Sequence, residues 1–259
     1  MSDEVLVVTG GGSGIGRAVV HLAAQRGWRV AVLDLNSAHA TAVADEAHTL
    51  GSERAYAMAC DVTSESSVAE AFAETQVALG PLTGLFTSAG IERSSFAHEM
   101  SLESWQHVLD TNLTGTFLAC REALRSLVAS PRRASLVLCS SPASYVAYAA
   151  GAASSYSASK GGVSALVRTL AVDYARYGVR VNAVVPGATE TPLMWANTDP
   201  KDRERMHEVI KTEVPLGRLA DPEEPAEAVL WLLSNQSRYV TGSHLVVDGG
   251  ILAKASISF

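Results

Sequence analysis

The sequence predicts an α/β protein, a doubly wound sheet of parallel strands with helices on both faces. Three observations carry that expectation. Short apolar runs rich in β-branched residues recur along the whole chain and are nearly continuous, as strands buried on both faces require. Longer segments with helical spacing lie between them. The first run opens straight into a cluster of glycines, after which a helical pattern begins.

In chain order the expected strands are Val5–Val8, Val30–Leu33, Ala55–Ala59, Leu82–Thr87, Ser135–Cys139, Val179–Val185 and Leu245–Val247. The helical segments between them are Ile15–Arg26, Ser37–Leu50, Ser64–Leu79, Leu102–Ser130, Ser155–Tyr177 and Pro222–Leu233. The last has clear start chemistry, with Asp221 as N-cap, Pro222 at the first helical position and Glu224 where a capping box places it. No Ser/Pro/Gly-rich stretch or charge block breaks the alternation, so one domain over residues 1–259 is expected. The long interruption Thr189–Leu216 is polar and Pro-punctuated, which suits a mobile lid over a site.

Composition narrows the function classes. In 259 residues, 47% are hydrophobic and 18% charged, as in an ordinary soluble globule. The formal charge of −7 argues against phosphate neutralisation on nucleic acid and against a polybasic membrane surface. Cys60, Cys120 and Cys139 are widely spaced without a CxxC pair, which points to a reducing compartment and no disulfide framework. MSDEVLVVTG is acidic where a signal peptide would be basic, and no apolar stretch is long enough to span a bilayer. A cytoplasmic protein is therefore expected. The seven histidines form no HExxH or clustered ligand set, so no catalytic metal is expected.

The glycine cluster reads Thr9-Gly10-Gly11-Gly12-Ser13-Gly14-Ile15-Gly16. Glycine allows a tight turn and lets a pyrophosphate approach the helix N-terminus, whose unpaired N–H groups and dipole favour anions. The spacing is TGxxxGxG rather than GxGxxG, and a strand-to-helix turn would use glycine with no ligand at all. Its placement between the first strand and first helix is what favours a dinucleotide, held by Gly10, Gly12, Ser13, Gly14, Ile15 and Gly16. Asp34 ends the second strand, 18 residues past Gly16. A carboxylate there accepts the adenosine ribose hydroxyls and repels a 2′-phosphate, although it also suits a plain turn into Leu35-Asn36. Neither Ser13 nor Leu35 is a base for a 2′-phosphate, and only Arg17 is nearby. NAD is expected over NADP.

Tyr156 and Lys160 stand four apart at the start of an expected helix and share one face. A free phenol titrates at about 10, too high for a base at neutral pH. A neighbouring ammonium and the positive ring of an oxidised nicotinamide favour the phenolate and lower that value. The phenol then takes a proton from an alcohol as hydride leaves, or donates one in reverse. Chance produces such a spacing in some sequences; its weight comes from the glycine turn and an upstream hydroxyl cluster.

With these pieces the chain resembles the short-chain dehydrogenase/reductase family over its full length. The matching residues are Thr9-Gly10-x-x-x-Gly14-x-Gly16, Asp61-Val62, Ala89-Gly90, Asn112, Ser140-Ser141, Tyr156-Ser-Ala-Ser-Lys160, Asn182, Pro186-Gly187-x-x-x-Thr191 and Val247-Asp248-Gly249-Gly250. The resemblance implies a Rossmann-type sheet of seven parallel strands and a nicotinamide cofactor. It implies a serine that orients the substrate oxygen, Tyr156 as acid/base, Lys160 on the ribose and Asn112 in a water-linked proton relay. Asp61 and Val62 would flank the adenine, with Leu35, Ala89 and Gly90 also on the cofactor; Pro186, Gly187, Thr189 and Thr191 would line the nicotinamide side. A homotetramer or homodimer is implied as well.

Two departures stand out. The family commonly has Asn-Asn-Ala-Gly after the fourth strand, and this chain has Thr87-Ser88-Ala89-Gly90, whose hydroxyls are expected to substitute. The family's serine lies 13 residues before the tyrosine, which here is Ala143. Ser141, 15 before Tyr156, is favoured through a two-residue insertion in the loop, because a strand end is a fixed platform and a loop absorbs insertions. Ser144 is the alternative.

Substrate contacts are expected from Ser141, Ala143, Ser144, Tyr156, Met194 and Trp195, within walls at Ser141–Gly151, Glu92–Phe96 and the lid. Tyr148, Met194 and Trp195 would cover an apolar or ring-shaped substrate; Met and Trp there would equally pack on a neighbouring subunit. Glu92 would accept a hydrogen bond from a polyol, or simply be a solvated loop carboxylate. The leading function is an NAD-dependent interconversion of a secondary alcohol and a ketone on a small organic molecule. The rival is a 3-oxoacyl-carrier-protein reductase using NADPH, disfavoured by Asp34, the acidic balance and Tyr177 where such enzymes often carry Arg. A non-catalytic dinucleotide-binding protein is the remaining alternative.

Overall fold

The structure is a computed structural model and describes residues 4–129, 132–148 and 152–254. Seven strands form one parallel sheet: β1 (Val5–Thr9), β2 (Arg29–Asp34), β3 (Ala55–Ala59), β4 (Gly84–Thr87), β5 (Ala134–Cys139), β6 (Val179–Pro186) and β7 (His244–Val247). Their order is β3-β2-β1-β4-β5-β6-β7. The chain winds outward from β1, then crosses back to lay β4 against β1's other edge. The carboxyl ends of β1 and β4 thus flank the switch point, where doubly wound sheets bind ligands.

Nine α-helices are described: α1 (Gly14–Gln25), α2 (Ser37–Leu50), α3 (Glu65–Leu79), α4 (Leu102–Leu109), α5 (Gly115–Ala129), α6 (Ser154–Tyr174), α7 (Pro192–Trp195), α8 (Arg203–Glu213) and α9 (Glu223–Leu233). Alternation along the strands divides the core. Val5 and Val7 pack toward α3, α5 and α6, while Leu6 and Val8 pack toward α1, α2 and α9. Every β1 residue is buried, which explains why the run reads VLVVT without polar alternation. Phe86 on β4 is the largest fully buried side chain; truncating it to alanine would cost about 3–5 kcal/mol.

Three expectations need correction. The segment Leu102–Ser130 is not one regular helix: a π-helical turn, Asp110–Thr114, joins α4 to α5, and Ser130 lies outside the described residues. The wider turn accommodates Asn112, whose side chain is tied to the loop after β4. Thr189–Leu216 is largely helical, not irregular. Thr191 caps α7 with Pro192 at its first position, Asp199 caps a 3-10 turn at Pro200–Asp202, and α8 follows. Finally, α9 begins at Glu223, one residue late, and Asp221 supplies its backbone N–H to the Glu224 carboxylate at 2.9 Å instead of capping with its side chain.

Candidate active site

The glycine turn sits at the carboxyl end of β1 and is built to a tolerance of one methyl group. Gly10 has φ +65°, and a Cβ there would lie 2.6 Å from the Ala89 backbone nitrogen. A Cβ on Gly12 would lie 2.8 Å from Asp34 Oδ2. Gly14, at φ +51°, abuts Thr191, so the turn meets the start of α7. Ser13 is the extended N-cap of α1 but makes no side-chain cap bond, which leaves the first N–H groups of the helix without that partner. Ile15 and Gly16 open α1 itself. A twelve-residue helix with an uncapped N-terminus behind a methyl-tight cradle fits a pyrophosphate.

Asp34 ends β2 beside this turn. Its Oδ2 accepts the Gly12 N–H and its Oδ1 the Asn36 N–H, both at 2.9 Å. The following Leu35 points out, 75% exposed. Arg17 is held by Glu46, with Nε and Nη2 donating at 3.0 and 2.8 Å. After β3, Asp61 accepts both the backbone and hydroxyl of Thr63, and Val62 is buried against Gly115. After β6, a Cβ on Gly187 would lie 2.6 Å from the Asp248 Cα, and Thr189 Oγ1 donates to the Gly187 carbonyl at 3.0 Å. The expected dinucleotide residues thus follow the carboxyl ends of β1, β2, β3, β4 and β6, with the Leu35 side chain exposed to solvent.

Beyond Ala89 and Gly90, the carboxamide of Asn112 closes a two-way bridge to Ile91. Oδ1 accepts the Ile91 N–H at 2.8 Å, and Nδ2 donates to the Ile91 carbonyl at 2.9 Å and to Ser159 Oγ at 3.1 Å. Asn112 is fully buried. Ser159 is a site residue that spacing did not single out; its place immediately before Lys160 on the inner face of α6 was the available signal. Thr87 corrects an expectation: its buried hydroxyl finds no hydrogen-bond partner among the described residues, so it does not replace the asparagine's bonding.

Helix α6 carries Tyr156 and Lys160. The Lys160 ammonium donates to the Cys139 carbonyl at the end of β5 (2.8 Å) and stands 5.5 Å from the Tyr156 ring centroid. Burial pushes the Tyr156 phenol well above its ordinary value, Cys139 adds to the rise, and the Ser141 hydroxyl pulls it partway back. Burial pushes Lys160 the opposite way, below its ordinary value. Burial is therefore the dominant influence of the protein's own groups on the phenol.

The serines separate by geometry. Ser141 caps the 3-10 turn Pro142–Ser144, accepting the Ala143 N–H at 3.2 Å, and its hydroxyl tempers the rise of both the Tyr156 and Tyr148 phenols. The Ser144 hydroxyl is spent on the Ser141 carbonyl (2.7 Å) and on Ser140 Oγ (3.3 Å). The Trp195 indole donates to Glu190, lies tilted at 48° against His207 with ring centroids 5.0 Å apart, and sits under Arg203, so it braces α7 against α8. Met194 beside it is partly buried, and residues 149–151 of the expected wall lie outside the described residues.

Comparison with known proteins shows what the whole chain is similar to. A family model described as enoyl-(acyl carrier protein) reductase matches residues 10–252. The chain is 37% identical to 2,5-dichloro-2,5-cyclohexadiene-1,4-diol dehydrogenase of Sphingobium indicum over 254 residues, 98% of each chain. It is 40% identical to cis-4-hydroxycyclohexanecarboxylate dehydrogenase of Sinomonas cyclohexanicum, covering 97% of this chain and 98% of that one. The solved structure of a short-chain type dehydrogenase/reductase from Mycobacterium marinum matches with a TM-score of 0.92 at 32% identity, covering 98% and 97% of the two chains. Among the described residues no helix is long and apolar enough to cross a membrane. The chain belongs to the short-chain dehydrogenase/reductase family, NAD(P)-dependent oxidoreductases of alcohols and ketones.

Proposed function

We propose that this protein is an NAD-dependent dehydrogenase that interconverts a secondary alcohol and a ketone on a small, ring-shaped organic substrate. The observation that carries the reading is the meeting of Ser141, Tyr156 and Lys160 at the end of β5, across the switch point from the glycine turn. A nicotinamide held there would supply the hydride acceptor or donor. Tyr156 takes the hydroxyl proton of the alcohol as the carbonyl forms and returns it in the reverse direction. Ser141 donates to the substrate oxygen and holds it against the phenol. Lys160, anchored by the Cys139 carbonyl, binds the ribose and favours the phenolate, and Asn112 supports the proton's path to solvent. The glycine turn with Asp34, Asp61 and Val62 holds the adenosine half, and Ala89, Gly90 and Pro186 through Thr191 hold the nicotinamide half.

The ring-shaped substrate is supported by the names of two relatives, which act on a cyclohexadienediol and a hydroxycyclohexanecarboxylate. An acyl-carrier-protein reductase is the second reading, favoured by the description of the matching family model; Asp34 and the net charge of −7 weigh against NADPH and an acidic carrier. The chain is read as one domain, with residues 189–216 as lid, in a cytoplasmic homotetramer or homodimer. Phe117 on α5, Val172 on α6 and Val246 on β7 expose apolar surface suited to that assembly. An absorbance screen following NADH over cyclic alcohols, polyols, sugars and hydroxyacyl thioesters tests the function, with Tyr156→Phe as control. Turnover surviving that substitution would overturn the mechanism.

A further inference from the structure

Tyr156 is the third residue of α6, in a first turn with little to hold its start. Ala153 stands at the cap position with no side-chain bond. Ala152 before it has φ +43°, a left-handed conformation that alanine adopts only at a cost. The first serines of the helix do not compensate. The Ser155 hydroxyl has no partner among the described residues, and that of Ser154 reaches Met100 Sδ at 3.8 Å. Ser159 is different. It is fully buried, its hydroxyl donates to the Tyr156 carbonyl at 2.7 Å, and it accepts from Asn112 Nδ2 at 3.1 Å. Asn112 in turn holds both backbone groups of Ile91, at 2.8 and 2.9 Å.

A serine bonded to the carbonyl three residues back is common in helices and is by itself purely local. Here its one hydrogen is committed to Tyr156, so toward Asn112 it can only accept, and the carboxamide must present its NH2. Ile91 requires the same orientation, since its N–H is taken by Oδ1. These residues therefore form a buried strut from the first turn of α6, through the π turn, to the loop after β4. That loop carries Gly90, where a Cβ would lie 3.4 Å from Asn112 Oδ1 and 3.8 Å from Lys160 Nζ. A further tie, from the Ser95 N–H to the Ala152 carbonyl at 2.8 Å, holds the entry to the helix and not the turn that bears the tyrosine. We propose that Ser159 is a positioning residue: through Asn112 it fixes the Tyr156 phenol relative to the nicotinamide side of the site. This rests on Tyr156 being the acid/base.

The test compares wild type with Ser159→Ala and Ser159→Thr, alone and in an Asn112→Ala background. The substrates are NAD with cyclohexanol and with cis-4-hydroxycyclohexanecarboxylate, each also deuterated at the carbinol carbon. A phenol displaced by up to about 1 Å predicts that Ser159→Ala lowers kcat on the order of 10- to 100-fold. KM and the dissociation constant for NADH should stay within about threefold of wild type, and the deuterium effect on kcat should be fully expressed because chemistry then limits turnover. Ser159→Thr, which keeps the hydroxyl, should recover most of the rate. In the Asn112→Ala background, Ser159→Ala should cost less than about threefold more. Amide exchange of residues 154–158 should quicken in Ser159→Ala while that of the sheet is unchanged. A kcat within about twofold of wild type, or the full loss repeated in the Asn112→Ala background, overturns the strut. Should the Asn112 variants not fold, the isotope and exchange readouts of the single variants decide. Full activity in Ser159→Ala alongside an inactive Tyr156→Phe sinks this inference alone; turnover surviving Tyr156→Phe sinks the acid/base reading along with it. If the wild type oxidises neither alcohol, the ring-alcohol reading falls, and unchanged exchange at 154–158 in Ser159→Ala then overturns the strut as well.

Discussion

Replacing Asp34 by alanine separates NAD from NADP by a mechanism whose size can be worked from the structure. Both carboxylate oxygens accept backbone N–H groups, Gly12 on one side and Asn36 on the other, each at 2.9 Å. At this half-exposed strand end water replaces part of that bonding, so the fold loses about 1–2 kcal/mol, or roughly 2–8 °C in Tm for a chain of this size. For NAD, the ribose hydroxyls lose a charged acceptor worth about 1.5–3 kcal/mol, roughly 10- to 150-fold in kcat/KM. For NADP, the carboxylate and a doubly charged 2′-phosphate about 5 Å apart repel by roughly 2 kcal/mol in a mostly aqueous dielectric, and the substitution removes that term. No new attraction compensates, because Arg17 is already engaged at 2.8 and 3.0 Å by Glu46. The NAD/NADP ratio should therefore fall on the order of 10²- to 10³-fold. Initial rates with each cofactor, alongside a thermal melt, measure both effects. A ratio that moves less than about threefold while the Tm falls as expected would refute the assignment of Asp34 and of NAD.

Four further outcomes are expected. Ser141→Ala should lower kcat by on the order of 10²-fold while Ser144→Ala stays within about tenfold of wild type; the reverse ranking in steady-state kinetics would transfer the role to Ser144. Because burial raises the Tyr156 phenol, it stays protonated through neutrality, so alcohol oxidation should climb with pH from about 6 to 10 while reduction stays nearly level; a flat oxidation profile over that range would remove Tyr156 as base. Asn112→Ala leaves both backbone groups of Ile91 without their buried partners and should cost about 2–4 kcal/mol in urea unfolding; a loss below about 0.5 kcal/mol would show that water fills the site. Glu224, held by Arg218 and the Asp221 N–H, has its carboxyl lowered to about 2 from 4.5. Its contribution is present above pH 4.5 and lost as pH falls toward 2, so the Tm difference from Glu224→Gln should vanish in acid; with the pair largely solvated it stays below about 1 kcal/mol at neutral pH.

The sheet was legible because its strands are buried on both faces. A run such as VLVVT admits no other assignment when glycines follow it, and all seven expected runs are strands. Helix ends were less legible where side chains compete with the backbone. The π turn at Asn112 arises because the carboxamide must reach Ile91, a contact 21 residues away that no local periodicity encodes. The lid helices escape pattern reading for a different reason. Their mean polarity resembles a loop, although Thr191-Pro192 and Asp199-Pro200 are cap-and-first-turn pairs that reveal two of the three starts. The tyrosine's burial was likewise illegible, because spacing reports a nearby ammonium but not the surroundings that raise the phenol.

The same contrast explains why the cofactor half of the site could be read and the substrate half could not. Gly10, Gly12 and Gly187 leave no room for a Cβ, since each would approach backbone or the Asp34 carboxylate within 2.9 Å. Such positions accept one residue type, and a motif is the visible trace of that restriction. Glu92 and Met194 lie on connections whose ties include bonds of 3.3 and 3.4 Å, and such connections absorb changes in length. Side chains there can change without disturbing the sheet. Relatives that match nearly the whole chain at 37% and 40% identity accordingly carry different substrate names on one scaffold.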